Sequence, residues 1–473
     1  MKKSTFAIPV TLAMIVSHNI AAAVDVEFHG DLNHRFQYSN RADLLALDST
    51  SDRAEINAGS VDENFGEIKY RLWVEAATND GDMKGVVATE IGGLRFGESG
   101  KADFSGDDLR FEVRWAYGDI QLPWVERTAR FKVGLQPFKV NRYQWQETAA
   151  GVAFSSTVGE DMDYVLAWMR GAEYDKTAAD SDENDERTDL DSFLLRWNMK
   201  PGAIQSGIYL MYQGYDSDGN FGTLDSRDWE VKLFKRGNDP QIGFDLWSIG
   251  TDGSMDLGTF FFNWDLIYQN GQFDDVAFTE FGSGTGVVGD FDMSAYFLHF
   301  DAGAKLDDKI KLTYTFWYAS GDDDPTDDDF EAFLATDVDI TDSIALFEGN
   351  YADDNYFTER PYLADKGFIM NRAGLDFQAT EKLQLGTALL YMMTAEDFEY
   401  TAAANGAPVS ENEVGWEIDA YVKYQLFPNT EVAFNVGYLF AGDALDVYEV
   451  DEIQDGSSDE DILITSARVR YKF

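Results

Sequence analysis

From Asp25 to Tyr38 the chain alternates without a break, with Val26, Phe28, Gly30, Leu32, His34, Phe36 and Tyr38 on one parity and Asp25, Glu27, His29, Asp31, Asn33, Arg35 and Gln37 on the other. A period of two places the two sets on opposite faces of a single strand. The run covers about 14 residues, whereas soluble strands average about five or six and a tilted membrane strand needs about 9 to 11. Few folds accept strands of this length with one apolar and one polar face.

The pattern returns at the end of the chain. Trp416, Ile418, Ala420, Val422, Tyr424 and Leu426 alternate with Glu417, Asp419, Tyr421, Lys423 and Gln425, and after Pro428-Asn429 comes Val432, Phe434, Val436, Tyr438 and Phe440. The last strand sets Leu463, Thr465, Ala467, Val469, Tyr471 and Phe473 against Ser466, Arg468, Arg470 and Lys472. Its terminal aromatic, with Tyr471 two residues before Phe473, resembles the assembly signal that the barrel-assembly machinery reads on outer-membrane barrels.

The same test predicts strands near 25–38, 64–77, 83–92, 109–121, 127–136, 151–157, 162–174, 189–200, 203–215, 241–252, 258–270, 290–304, 309–320, 366–379, 382–395, 414–427, 430–441 and 461–473. The best count is 18, an even number that puts both termini on the periplasmic side. The weak pattern at 151–157 and 241–252 leaves 16 open. Short turns fall at Asn79-Asp80-Gly81, Pro201-Gly202, Asp307-Asp308 and Pro428-Asn429. The long connections near 39–63, 93–108, 175–188, 216–240, 271–289, 321–365, 396–413 and 442–460 are expected to face outward. The expected fold is all-β: one transmembrane antiparallel β-barrel over residues 24–473, with 16 to 18 strands, long acidic extracellular loops and short periplasmic turns.

Residues 1–23 read as a cleavable secretory signal, with Lys2 and Lys3, an apolar stretch from Phe6 to Val16, and Ala21-Ala22-Ala23. No later stretch reaches 18 consecutive apolar residues, which excludes membrane-spanning helices. With no cysteine in the chain, there is no disulfide framework, and closure of a sheet on itself meets the demand for stability. Aromatic residues at 15% beside charged ones at 26% suit a wall with aromatic girdles outside and a wet inner face. Without the two signal lysines, 35 basic residues stand against 86 acidic ones, a net −51, so nucleic acid is excluded as a partner.

The stretch Arg130 to Gly159, RFKVGLQPFKVNRYQWQETAAGVAFSSTVG, resembles the outer-membrane homotrimeric porins of sulfate-reducing bacteria and their relatives, as does the spacing of the later strands. The resemblance implies a homotrimer of barrels in the bacterial outer membrane, each with its own pore. In porins generally a long loop after an early strand folds into the lumen. The matching segment here is 137–150, with Lys139, Arg142 and Glu147 as its charges and Tyr143 and Trp145 as candidate anchors to the wall. An ordinary surface loop is the alternative.

Strand parity turns Arg35, Lys69, Arg71, Arg110, Arg114, Arg130, Lys132, Arg468 and Arg470 away from lipid, where Arg or Lys would cost about 2–4 kcal/mol at the midplane. Closure makes the last strand a neighbour of the first, so these bases form one wall that either attracts anions or balances lumen carboxylates such as Glu67, Glu75 and Glu112. The acidic excess sits in the loops. Gly321 to Glu359 holds fourteen Asp or Glu and no Lys or Arg, and Gly442 to Asp461 holds nine and none, an acidic vestibule in prospect. Asp322, Asp324, Asp327 and Asp329 offer the oxygen ligands of Ca²⁺, although a solvated acidic loop is the reading preferred.

No enzyme motif emerges. Gly284 to Gly289 matches a dinucleotide-binding pattern, yet no helix follows it, so it reads as a flexible outer loop. His29, His34 and His299 belong to no recognisable zinc or nucleophile motif. The expected function is a porin for small hydrophilic solutes and ions that needs no cofactor. The alternatives are a substrate-specific channel or a surface-structural, adhesive barrel. Expected partners are further copies of the chain, outer-membrane lipid and lipopolysaccharide, the assembly machinery, and the solutes themselves.

Overall fold

The computed structural model describes residues 24–40, 63–97, 111–123, 128–146, 148–172, 189–215, 222–225, 243–279, 286–324, 327–336, 338, 340–347, 364–449, 454–458 and 460–473. The signal segment 1–23, Arg110 and Glu147 lie outside the described residues.

Twenty strands form one sheet. They are β1 (Val24–Ser39), β2 (Glu63–Thr78), β3 (Met83–Arg95), β4 (Glu112–Gln121), β5 (Arg130–Pro137), β6 (Thr148–Val158), β7 (Met162–Ala172), β8 (Leu190–Met199), β9 (Ile204–Tyr215) and β10 (Gly222–Asp225). The second half holds β11 (Gly243–Asp256), β12 (Phe260–Thr279), β13 (Gly286–Lys305), β14 (Ile310–Ala319), β15 (Asp329–Phe330), β16 (Phe368–Thr380), β17 (Leu383–Thr401), β18 (Pro408–Phe427), β19 (Thr430–Ala441) and β20 (Ile462–Lys472). β10 and β15 are short parallel additions to β12 and β13. The other eighteen pair antiparallel in chain order, and β20 pairs back onto β1. The weakly patterned stretches are β6 and β11, both full members of the wall, which makes the count 18.

The seam is in register from Asp31 opposite Lys472 to Ser39 opposite Ile464. Beyond the last ladder residue, Gly30 and Phe473 exchange backbone hydrogen bonds of 2.9 and 3.0 Å. A Cβ on Gly30 would fall 2.3 Å from the Phe473 ring, so only glycine seats the terminal aromatic there. Parity governs the faces as expected: Phe28, Trp197, Trp247, Tyr268, Trp416 and Phe434 are exposed on the outside, while Asn33, Arg35, Gln37 and Arg468 are buried within.

Wall height is uneven. β5 has 8 residues, and β4 and β8 have 10 each, close to the minimum for crossing the bilayer. β12, β13 and β18 have 20 and β17 has 19. The connections expected at 271–289 and 396–413 are therefore largely strand. Apolar alternation marks only the band in lipid, about 25 Å tall, and the ladder continues above it with Phe273, Phe398, Tyr400 and Val414 buried. From Gly286 the glycine-rich motif is likewise not a loop but the start of β13, paired with β12 through Thr279.

The apolar core lies inside the barrel. Inward residues of β9 to β17, among them Met211, Leu246, Ile267, Phe297, Trp317, Met370 and Leu390, cluster with Phe138, Val140 and Tyr143 and with Phe333, Leu334, Ile344 and Phe347. Two connections supply the second group. One is 138–146, between β5 and β6. The other is the described part of 327–347, between β14 and β16, which departs from the outward path that its acidity suggests. Apolar side chains on an inner wall must be covered to leave water, and these segments cover them.

Candidate functional site

Across β1 to β5 and β19 to β20, most of the inward bases meet a carboxylate. Arg35 pairs with Glu67, Nε to Oε1 2.5 Å, both nearly fully buried. Glu90 gathers three bases: Arg71 at 2.5 Å, Arg114 at 2.8 Å and Lys69 at 3.7 Å. Arg130 bonds Asp119 at 2.7 Å, Arg470 grips Asp31 at 2.6 and 2.8 Å, and Arg468 bonds Glu431. Lys132 stands over the Tyr117 ring at 5.8 Å. Arg35 lies directly opposite Arg468 across the seam, a like-charge contact that the flanking Glu67 and Glu431 offset. Parity had marked Glu67. Asp31, Glu90 and Glu431 share the inward phase of their strands but were not singled out, and Asp119, on the opposite parity from Arg114, comes inward through the register shift where β4 pairs with β3 at Ala88 and Thr89.

Arg71, Arg114 and Arg130 keep side-chain exposures of 22%, 20% and 28%. They border water inside the barrel. The opposite inner wall does not, because segment 138–146 lies across it. A tight turn, Asn141 bridged to Trp145, presents Tyr143 to Phe297 and His299, ring centroids 4.7 Å away in each case, and to Trp317 at 6.1 Å. Tyr143 therefore sits on the wall. Trp145 stacks instead on Phe138 within the segment, 6.4 Å between rings.

Polar contacts position the same turn. Asn141 Nδ2 donates to Asp265 at 2.7 Å and to Asp252 at 3.3 Å. Arg196 holds Asp252 through two bonds of 2.7 Å and donates to the Val140 carbonyl at 2.6 Å. Gln144 donates to Ser248 at 2.6 Å and accepts from Tyr209 at 2.5 Å. Lys139 is exposed between buried Phe138 and Val140, so its side chain points away from the covered wall.

The second segment is locked to the first and to the wall. Thr336 N–H donates to the Gln144 carbonyl at 2.8 Å, and Leu334 N–H to Gln269 at 3.0 Å. Glu417, fully buried on β18, accepts from the Ser343 hydroxyl at 2.6 Å and from the N–H groups of Ile344 and Ala345 at 2.8 Å each. Arg142 reaches Asp342 at 3.3 Å. That carboxylate holds the Arg142 guanidinium above its ordinary value, and burial pushes the Tyr143 hydroxyl well up. Part of the last acidic connection also folds inward as a 3-10 helix, Asp443–Tyr448, with Asp446 accepting from Tyr400.

The four candidate Ca²⁺ ligands do not converge. Asp322 is buried beside Asp365 and accepts from Glu331 N–H at 3.2 Å, and Asp327 caps Asp329 N–H at 2.9 Å. Among the described residues no group of three or more His, Cys, Asp or Glu is arranged to hold a metal ion. Burial and the Asp365 carboxylate push Asp322 up to about 7.

No protein family and no curated protein matches the chain by sequence. Solved structures match in fold. Outer membrane protein OprD from Pseudomonas aeruginosa is 12% identical with a TM-score of 0.50, over 95% of this chain and 93% of that one. OccK8 (OprE) of the same organism is 12% identical at 0.50, over 95% and 98%. OccK9 (OpdG), also of that organism, is 11% identical at 0.50, over 95% and 98%. The likeness to a sulfate-reducer porin family is not recovered by these matches, which carry the eighteen-strand barrel alone.

Proposed function

We propose that this chain is a bacterial outer-membrane channel through which small hydrophilic solutes and ions diffuse. One observation carries the reading: the apolar inner wall is covered by two inward segments, while Arg71, Arg114 and Arg130 of the ion-paired wall on β2, β4 and β5 still border water. The passage runs between that wall and segment 138–146, with Lys139 facing it, which makes this segment the constriction. Such a lumen passes water-soluble species and disfavours apolar ones.

Reconstituted in a planar bilayer, the protein is expected to give large, stable conductance steps. A protein that never conducts favours the plugged, adhesive alternative instead. Because three bases surround Glu90, Arg114→Gln is expected to shift the reversal potential toward cations in a salt gradient. An unchanged potential means that the wall is charge-balanced.

The presence of two inward segments rather than one favours a solute-specific channel as the second reading. Its signature is block of the current by one solute class and not by others. Self-association, as a homotrimer, has its own support. Val74, Ala76, Gly85, Ala116, Gly118 and Val133, with Tyr117 beside them, line an outward groove of about 400 Å³, and small residues let a second wall approach closely. The acidic loops, as a vestibule, would meet divalent-bridged lipopolysaccharide.

A further inference from the structure

Beneath the tip of the inward turn lies His299 on β13, almost fully buried. Its Nδ1 is 2.7 Å from Asp265 Oδ2 and its Nε2 is 3.3 Å from Asp301 Oδ1. Ionised carboxylates only accept hydrogen bonds, so both ring nitrogens must carry a proton and the ring is an imidazolium. Each carboxylate has further donors: Asn141 on Asp265 at 2.7 Å, and Thr315 and Asn263 on Asp301 at 2.7 and 3.1 Å. One positive charge thus lies between two half-buried negative ones, beneath a segment that touches the ring itself through Tyr143, ring centroids 4.7 Å apart.

We infer that His299 is a positioning residue for the channel: its doubly bonded imidazolium keeps segment 138–146 against the β11–β14 wall and so holds the passage open. This rests on the channel reading. When the ring gives one proton to solvent at high pH, one of Asp265 and Asp301 loses its donor and the positive charge between the two half-buried carboxylates is lost, leaving them only the more distant fields of Arg142 and Arg196. The charged groups nearby cannot take over. Arg196 is already committed to Asp252 and Val140, Arg142 to Asp342, and the Tyr209 hydroxyl to Gln144. Asn141 and Tyr143 then lose their base, and the turn moves from the wall into the passage.

Two measurements test this, and the first needs no conduction. The chain has no cysteine, so a nitroxide on Lys139→Cys reports on the segment alone. It is expected to be immobile at pH 6 and mobile at pH 11, and mobile at both in the His299→Gln background. Unchanged mobility in the otherwise native chain overturns the inference even if His299→Gln does not fold. In the bilayer, conductance is expected to fall at least twofold and become noisy between the same pH values. His299→Gln should be low and noisy throughout, and His299→Lys, a cation at neutral pH, should recover the steady level. A His299→Gln channel with the native conductance and native pH profile overturns it too, whereas a silent native channel with a mobile alkaline nitroxide overturns only the channel reading.

Discussion

The two halves of the inner wall solve the same problem in opposite ways. On β1 to β5 and the lower part of β20 many inward positions are Arg, Lys, Asp and Glu, paired with one another, buried at Arg35 and Arg470 and partly wet at Arg71 and Arg114. On β9 to β17 they are Met, Leu, Ile, Phe and Trp, and two connections fold in to cover them. A strand with one apolar face belongs to a wall with water behind it. When both faces are apolar, something other than water lies behind it. On the proposed channel function, that difference sets the side on which solutes travel.

If the comparison holds, the two halves should respond differently to repair. Trp317 is fully buried among Tyr143, Phe297, Phe347 and Phe368, and Trp317→Ala is expected to cost about 3–5 kcal/mol in denaturant unfolding. No second substitution nearby should restore it, because the loss is volume. On the ionic half, Glu67→Leu strands the buried Arg35 charge and is expected to cost about 3–5 kcal/mol, while Arg35→Met added to it should recover most of that. Equal losses in the single and double variants would dissolve the distinction.

A smaller effect sharpens it at the rim. The folded Asp322 carboxyl sits at about 7, above the unfolded value of about 3.9. The folded state therefore binds this proton more tightly. Its stabilising contribution is complete below about pH 4 and is lost as the pH rises through about 7. Asp322→Asn should flatten that part of the stability-against-pH curve, measured by thermal unfolding. An unaltered slope would remove Asp322 as its cause.

Much of this was written in local pattern. Parity alone turned Arg35, Arg71, Arg114, Arg468 and Arg470 inward and Phe28, Trp416 and Phe434 outward, because a lipid-facing charge is costly enough to forbid the other register. The inward turn of 327–347 was masked by its acidic residues, although Phe330, Phe333, Leu334, Ile344, Leu346 and Phe347 are apolar side chains that a solvated loop would not keep. Its cause lies also in the apolar inward phase of β11 to β17 and in Glu417, whose partners are backbone N–H groups that leave no motif. Reading both phases of those strands, rather than the lipid phase alone, would have signalled a covered wall. His299 was equally silent: Asp301 shares its strand two residues on, but Asp265 comes from β12 and Tyr143 from the inward turn.

By itself, then, the sequence determined a closed wall of 16 to 18 strands, its seam and the sign of most faces, because these depend on period, strand length and the energetics of lipid contact, and the structure fixed the count at eighteen. Only the tertiary structure decided which carboxylate each base meets, which connections enter the lumen and on which side water remains. Those outcomes depend on contacts between residues as far apart as Asn141 and Asp265, or Ser343 and Glu417, which closure of the barrel brings within hydrogen-bond reach.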